Sequence, residues 1–244
     1  MRIRVGHLYP DYLNIYADRG NIAVLTTRAQ ARNHELEVTA IGLRDAVPDG
    51  IDLFYVGGGQ DREQELVAHD LVAKADALHH AVEAGAAFLA VCGGYQLLGR
   101  SYVDVAGTEL PGIALLPLDT VAGEQRMIGD VLLECDWAGR PLAGFENHAG
   151  RTILDEGATP LGRVLAGFGN DGRSGFEGCR AGRVYGTYLH GPLLPRNPWF
   201  ADRLLEDALA HAGFGTTLDP LDDALEETAH HVSAERARTR GGRS

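Results

Sequence analysis

Cysteine is scarce in this sequence of 244 residues. The three cysteines, Cys92, Cys135 and Cys179, lie far apart along the chain. A disulfide framework, or a zinc site built from paired cysteines, needs more of them at closer spacings. We therefore expect neither disulfides nor a metal in this chain, and any reactive cysteine must act through its own thiol.

Long hydrophobic runs are also missing. No run approaches the roughly 18 apolar residues that a membrane-spanning helix needs. Residues 1–20 contain no uninterrupted apolar stretch of the kind found in signal peptides, because polar residues and a proline break it: His7, Pro10, Asp11 and Asp18. We therefore expect a cytoplasmic protein that is not an integral membrane protein.

Positive charge is in short supply, with 22 Lys and Arg against 34 Asp and Glu and a net charge of -12. Nucleic-acid binding relies on clustered Lys and Arg that neutralise phosphates. The balance of charge therefore argues against a nucleic-acid partner. The only basic cluster lies in residues 236–243, for which we predict a disordered tail.

The remaining composition is that of an ordinary globular protein, with 45% hydrophobic and 23% charged residues. The first half of the chain contains strand-like segments at residues 1–8, 36–41, 52–56 and 88–91, with helical patterns after the first and the third. Strands separated by helices form a mainly parallel sheet, which binds ligands beyond the carboxyl ends of its strands. The triple glycine at residues 57–59 and Cys92 both follow such ends.

After about residue 111 the pattern changes to short strands with frequent glycines, which predicts antiparallel hairpins packed on the parallel layer. Residues 184–189 form the last predicted strand. A closing helix is predicted over residues 198–212, because it has proline at its start and glycine just past its end. We predict one domain over residues 1–215, followed over residues 216–244 by an acidic extension of helical pattern with a basic, disordered end.

The stretch AAFLAVCGGYQLLG, residues 86–99, predicts a buried strand that ends at Cys92 and turns directly into a helix. Gly93 and Gly94 tolerate the strained backbone that this turn needs. The layout is that of a nucleophile elbow, although the G-x-S-x-G signature is not met to the letter. A helix N-terminus there favours a thiolate and offers N–H groups to an oxyanion. The alternative is a buried core cysteine, since free cysteines are often buried.

A histidine occupies a matching position at the end of the last predicted strand. His190 follows VYGTYL and precedes a Gly-Pro pair, so it lies just past an apolar strand as Cys92 does. Imidazole is the usual partner of a thiolate nucleophile, and residues distant in sequence can meet at one sheet edge. The alternative for His190 alone is a surface or capping histidine.

Two motifs together, VCGGYQLLG and GTYLHGP, resemble the class I glutamine amidotransferase domain of the cobyric acid synthase type. Four further segments, LYPDYLNIYADRGN, YVGGGQD, QRMIGD and FENHAGRT, resemble the GatD family, the glutaminase subunit of lipid II isoglutaminyl synthase. The resemblance covers about residues 3–213. It implies an α/β class I glutamine amidotransferase fold of flavodoxin-like type, with a mainly parallel sheet flanked by helices and additional antiparallel strands.

The resemblance places the family's nucleophile on Cys92, its catalytic histidine on His190 and its glutamine-binding arginine on Arg126. A guanidinium suits this last role because it pairs bidentately with a carboxylate. On sequence alone, Arg126 would otherwise be a solvated arginine on a strand.

The triple glycine corresponds to the family's oxyanion loop. We expect the backbone N–H of Gly58 to face the oxyanion, with the Gly93 N–H as the second donor. The alternative is a phosphate-binding turn, but no Lys-Ser or Lys-Thr pair follows, which excludes a Walker P-loop.

The third member of a catalytic triad is not apparent near the histidine. Related glutaminases carry a glutamate two residues after it, and Pro192 stands at that position here. Asp18, Glu146 or a residue of the partner subunit could supply the acid. His148, in FENHAG, is a further family-like position for which we expect a structural hydrogen-bonding role.

The implied reaction is hydrolysis of glutamine to glutamate and ammonia through a thioester on the cysteine. The resemblance implies a heterodimer with a Mur-ligase-like subunit, MurT, which would use the ammonia to amidate the D-glutamate α-carboxyl of lipid II. We expect no cofactor in this chain, and ATP and Mg on a separate ligase polypeptide. The alternatives are the glutaminase component of a cobyric acid synthase type enzyme and a non-catalytic regulatory protein on the same fold.

Overall fold

The computed structural model describes residues 1–14, 19–59 and 61–240, which form two six-stranded sheets and six α-helices. The first sheet consists of β1 (Arg2–Leu8), β2 (Glu35–Ile41), β3 (Leu53–Val56), β4 (Ala87–Val91), β11 (Cys179–Ala181) and β12 (Val184–Thr187). The second consists of β5 (Ser101–Val103), β6 (Glu109–Pro111), β7 (Leu118–Cys135), β8 (Arg140–Leu154), β9 (Gly162–Ala166) and β10 (Phe176–Glu177). The helices are α1 (Arg19–Ala31), α2 (Asp61–Ala73), α3 (Ala75–Glu83), α4 (Gly93–Leu97), α5 (Pro198–His211) and α6 (Ala224–Arg240).

The first sheet has the strand order β11-β12-β4-β3-β1-β2 and is parallel except for the edge strand β11. Strands β3 and β4 are buried along their whole length. Burial on both faces explains why their sequences are apolar throughout rather than alternating. The predicted α/β fold with a mainly parallel sheet is confirmed.

The second sheet is built around the antiparallel pair β7 and β8, which is much longer than the short strands expected from the sequence. The frequent glycines predicted breaks between short strands, yet Gly144 and Gly150 lie inside β8. They are needed there because a Cβ on Gly144 would lie 2.9 Å from Cβ of Leu189, and one on Gly150 would lie 2.8 Å from the Tyr188 hydroxyl. These glycines therefore permit close packing instead of ending the strand.

The register of this pair shifts between Ala122 and Met127, which leaves a bulge at residues 123–126. A bulge bends a strand and redirects its side chains, and bulges are frequent beside functional sites. The bulge contains Arg126. The path of β7 therefore determines where the predicted glutamine-binding arginine lies.

The C-terminal segment packs against the second sheet. Ala234 and Ala237 of α6 are buried against Leu132 and Ala143. The helical pattern predicted for this segment is confirmed. The disordered end is wrong for residues 236–240, which continue the helix because its alanine face is buried on the sheet. Residues 241–244 and the domain boundary at residue 215 stay predictions, the former lying outside the described residues.

Buried arginines hold the linker before α6. Arg28 of α1 donates to both carboxylate oxygens of Asp202 and of Asp223, and Arg32 donates to Asp202 and to the carbonyl of Asp219. Bidentate pairs of this kind fix geometry as well as charge.

Along the part of the chain that the structure describes, we find no helix with the length and apolarity needed to cross a membrane.

Gly186 offers a test of how tightly β12 packs against α4 and the segment before β7. A Cβ added there would overlap the Tyr95 ring and lie 2.7 Å from Cδ1 of Leu116. Overpacking of a core costs about 1 to 3 kcal/mol. We expect Gly186→Ala to lower the free energy of unfolding by that amount in chemical denaturation.

The matched control is Gly129→Ala, also within a strand, where the nearest atom to an added Cβ is Cε2 of Phe168 at 4.0 Å. Its effect should be neutral or slightly stabilising, because glycine is unfavourable inside a strand. Equal destabilisation by both changes would contradict this description of the packing.

Candidate active site

Cys92 occupies a sharp turn between β4 and α4. Its backbone angles, φ 52° and ψ -111°, are strained for a residue with a side chain. Its N–H donates to the carbonyl of Thr187 at 2.8 Å, and its own carbonyl accepts from the N–H of Gln96 at 3.1 Å. Cys92 is therefore the last residue aligned with the sheet and the first of the helical turn, which is the elbow geometry that the sequence predicted.

The triple-glycine loop lies against this elbow. The Gly94 N–H donates to the carbonyl of Gly57 at 3.1 Å, and a Cβ on Gly93 would lie 3.1 Å from the Gly59 nitrogen. Side chains at these glycines would push the loop and the elbow apart. The structure thus brings the two predicted oxyanion donors, Gly58 and Gly93, into neighbouring segments.

His190 follows β12, the strand next to β4. Its backbone N–H and C=O pair with those of Phe145 in β8, at 2.9 and 3.3 Å, so the residue joins the two sheets. The ring is almost fully buried and meets the Phe145 ring edge-on. Burial, together with the charges of His148 and Arg126, lowers the pKa of His190 to about 4. The imidazole of His190 is therefore neutral near pH 7.

Arg126 projects from the bulge of β7 and is exposed. Its Nε donates to Oδ1 of Asn147 and its Nη2 donates to the carbonyl of Asn147, both at 2.9 Å. Its positive charge contributes to the lowered pKa of His190. Asn147 thus fixes the guanidinium in one orientation at the edge of the site.

Glu146 is fully buried, and it supports a turn of the second sheet. Its carboxylate accepts from the N–H of Phe168 at 2.6 Å and of Gly169 at 2.9 Å, and it lies 3.5 Å from Nε2 of His148. His148 donates from Nδ1 to the carbonyl of Gly150 at 2.9 Å. These contacts fit the structural role expected of His148. Asp18, the other candidate acid in this chain, lies outside the described residues.

Glu177 is a buried carboxyl group that sequence reasoning missed, and it is bonded to residues that lie shortly before the histidine in the chain. It accepts from the N–H of Tyr188 at 2.6 Å and from the hydroxyl of Thr187 at 3.0 Å. These bonds end β12 at Thr187, although the sequence predicted a strand as far as Leu189. Burial raises the pKa of Glu177 to about 8 despite these donors. Nothing in the local sequence FEGC distinguishes this glutamate from an exposed one.

A hydrogen-bonded network of buried polar side chains was also not predicted from the sequence. It joins α2 to α4, to the end of β12 and to the β7–β8 pair through hydrogen bonds of 2.6 to 3.1 Å: Gln64, Gln96, Tyr188, Thr152 and Thr120. Buried polar groups that are fully satisfied favour one arrangement of the core, because any other arrangement leaves them unpaired. The network therefore fixes the elbow relative to both sheets.

The other two cysteines are buried, and burial raises the pKa of each to about 12. Cys135 and Cys179 thus remain thiols, as expected for structural residues. Within residues 1–14, 19–59 and 61–240, no group of three or more His, Cys, Asp or Glu side chains is arranged to hold a metal ion.

Glu177 gives a test based on pH. Its folded pKa lies above the ordinary value of 4.5. The neutral acid therefore stabilises the fold fully below that value, and this stability is lost as pH rises through about 8. We expect the free energy of unfolding to fall between pH 6.5 and 8.5 by about 2 kcal/mol more in the wild type than in Glu177→Gln, at roughly 1.4 kcal/mol per pH unit.

Denaturation curves at several pH values within this interval would measure the difference. Glu134→Gln, at an exposed glutamate paired with Arg163, is the control for loss of one negative charge and should keep the wild-type slope. Parallel stability profiles for Glu177→Gln and the wild type would show that the buried group is ionised at neutral pH.

Known proteins resemble this chain in sequence and in fold. Residues 4–198 match the model of the CobB/CobQ-like glutamine amidotransferase domain. The chain is 40% identical over 236 residues to "Lipid II isoglutaminyl synthase (glutamine-hydrolyzing) subunit GatD" of Staphylococcus aureus (strain N315), covering 96% of both chains. It is 38% identical over 165 residues to a cobyric acid synthase of Pelotomaculum thermopropionicum, covering 61% of this chain and 31% of that protein.

Among solved structures, that of PurLQS from Thermotoga maritima resembles the fold with a TM-score of 0.57 at 19% identity, covering 78% of this chain and 88% of that one. This similarity concerns the fold alone. The sequence similarity to the Staphylococcus aureus protein, in contrast, extends over nearly the whole of both chains. The chain therefore belongs to the CobB/CobQ-like glutamine amidotransferase family and, within it, to the GatD family.

Proposed function

We propose that this chain is the glutaminase subunit of a lipid II isoglutaminyl synthase. It hydrolyses L-glutamine, and a Mur-ligase-like partner of the MurT type uses the ammonia to convert the D-glutamate of lipid II to D-isoglutamine. The observation that supports this most directly is the elbow at Cys92, whose N–H is bonded to Thr187 on the strand that leads to His190. Similarity to a GatD subunit over nearly the whole chain supports the acceptor.

In this mechanism neutral His190 takes the proton of the Cys92 thiol, and the resulting thiolate attacks the side-chain carbonyl carbon of glutamine. The backbone N–H groups of Gly58 and Gly93 stabilise the oxyanion, in the loop and elbow that contact each other. The C–N bond then breaks as protonated His190 donates its proton to the departing ammonia, leaving a thioester. Neutral His190 next takes a proton from water, which hydrolyses the thioester to glutamate and regenerates the thiol.

The low pKa of His190 bears on how this reaction is controlled. An imidazole with a pKa of about 4 is a weak base for the thiol proton. A carboxylate near an imidazole raises its pKa and fixes its orientation. Pro192 stands where related enzymes carry such an acid, and the Glu146 carboxylate accepts two backbone N–H groups in another turn. We propose that docking of the partner subunit activates the chain, by adding a carboxylate to the site or by ordering the glycine loop at residues 57–59, so that the isolated chain is a poor glutaminase.

Three further parts of the proposal concern the partner and the location. We propose a heterodimer in which ATP and Mg bind the ligase subunit and in which lipid II is reached through that subunit. The chain works in the cytoplasm. Similarity to the GatD subunit extends over more of both chains than similarity to cobyric acid synthase does, which supports this acceptor over the corrin pathway.

Arg126 is proposed to hold the α-carboxylate of glutamine. Because Asn147 already occupies Nε and one Nη2 hydrogen, the carboxylate would meet the remaining outward-facing N–H groups. Arg126→Lys removes the paired N–H donors of the guanidinium, and a charge-assisted hydrogen bond is worth about 1.5 to 3 kcal/mol. We expect kcat/KM for glutamine to fall about ten- to a hundredfold.

Steady-state assays on Arg126→Lys should be run beside Arg163→Lys. Arg163 is an exposed arginine of β9 that pairs with Glu134, and its replacement should leave kcat/KM unchanged. Equal kcat/KM in the two variants would identify Arg126 as an ordinary surface arginine.

The proposed function is tested by measuring glutamate release by the chain alone and with a purified MurT-type ligase, ATP, Mg and lipid II. We expect slow release alone, a large increase with the ligase, and glutamine-dependent amidation of lipid II. Cys92→Ala should abolish both glutamate release and amidation with glutamine while leaving amidation with free ammonia intact. Cys135→Ala, at a buried cysteine of β7, should retain glutaminase activity.

Three results would count against the proposal. Glutamate release by Cys92→Ala would remove the nucleophile. Equal turnover with and without ligase would remove activation by the partner. Glutamine-dependent amidation of a corrin substrate instead of lipid II would assign the acceptor to the alternative pathway.

A further inference from the structure

The chain that follows His190 is held by the C-terminal helix, an element beyond the family match at residues 4–198. Immediately after the histidine, Gly191 turns the backbone with φ 88°, a conformation that favours glycine. The carbonyl of Gly191 accepts a hydrogen bond of 2.7 Å from Nη2 of Arg196. The guanidinium of Arg196 therefore holds the first carbonyl after His190.

Arg196 is in turn fixed by α6. Its Nη1 donates to the hydroxyl of Ser233 at 3.3 Å, and its backbone carbonyl accepts from Nδ1 of His230 at 3.0 Å. His230 and Ser233 lie one helical turn apart on the buried face of α6. The two residues thus hold both the side chain and the backbone of Arg196.

Asn197, next in the chain, extends this contact to the second sheet. It is fully buried, and its amide pairs with both the N–H and the C=O of Ala143 in β8 and donates to the carbonyl of Leu193. Residues 190–197 are therefore fastened to β8 at both ends, through Phe145 at the start and Ala143 at the end.

The helix has its own attachment to the same strands. Arg236 of α6 pairs with Asp130 of β7 at 3.3 Å, and Asp130 lies opposite Phe145, the residue whose backbone pairs with His190. The buried alanines Ala234 and Ala237 pack on the same sheet. Helix α6, the β7–β8 pair and residues 190–197 therefore all contact one another.

We propose that Arg196 is a positioning residue, and that α6 acts through it to hold His190 in its catalytic place. This inference rests on the proposed role of His190 in glutamine hydrolysis. A displacement of a catalytic group by about 1 Å can cost on the order of a hundredfold in rate. Arg196 touches neither the reacting atoms nor Arg126, so its loss lowers turnover and leaves glutamine binding unchanged.

The test compares Arg196→Gln, Arg196→Lys and Ser233→Ala in the complete chain with its ligase partner. We expect Arg196→Gln to lower kcat about ten- to a hundredfold with KM within about twofold of the wild type. Arg196→Lys should recover most of kcat, because an ammonium can still donate to the Gly191 carbonyl. Ser233→Ala should lower kcat by a smaller factor, and it provides the test if Arg196→Gln does not fold.

Arg140→Gln is the matched control. Arg140 is also an arginine that connects the body of the protein to α6, and it does so through an exposed ion pair with Glu227. Its replacement should leave kcat and KM at wild-type values. A rise in KM rather than a fall in kcat for Arg196→Gln, or an equal loss in both arginine variants, would overturn the positioning role.

A readout independent of activity separates this inference from the proposed function. In histidine-labelled protein, the ring resonances of His190, assigned with His190→Gln, should shift in Arg196→Gln and stay in place in Arg140→Gln. Unshifted resonances would overturn the inference even if the wild type hydrolyses glutamine. Failure of the wild type to hydrolyse glutamine, with the resonances shifted, would overturn the proposed function and leave the structural positioning intact.

Discussion

The parallel pairing of β4 with β12 is the constraint on which the site depends. It places Val91 beside Thr187, so that the residues which follow each strand emerge at the same edge of the sheet. The hydrogen bond from the Cys92 N–H to the Thr187 carbonyl is the last of this ladder, and the strained angles of Cys92 begin immediately after it. Strain at a functional residue persists only where its surroundings fix it, and here the ladder on one side and the glycine loop on the other do so.

The second sheet contributes the remaining parts of the site at this edge. Strand β8 pairs with the backbone of His190, the bulge of β7 carries Arg126, and the turn at Phe168 is held by Glu146. The buried carboxyl of Glu177 is costly to bury as a charge, and burial moves its pKa to about 8 instead. Two layers with different topologies thus meet at one histidine, whose own pKa falls for the same reason.

Much of the fold could be predicted because its signals are local. Apolar runs, glycine pairs and the change of pattern after residue 111 identified the parallel sheet, the elbow at Cys92 and the added antiparallel strands. The contacts of Glu177, Gln64 and Arg196 could not be predicted, since they join segments distant in sequence and their local patterns match those of exposed polar residues. The burial of α6 could not be predicted for a similar reason, because its alanine face is too weakly apolar to indicate burial without the sheet beneath it.

The central claim is that Cys92, presented by this elbow, forms a covalent intermediate with glutamine. The most direct measurement is an acid quench during turnover of the complex with isotopically labelled glutamine, followed by mass spectrometry of its peptides. A labelled glutamyl thioester on the peptide that contains Cys92, with none on those containing Cys135 or Cys179, is the predicted result. Sustained glutamine hydrolysis with the label on another residue would contradict the account.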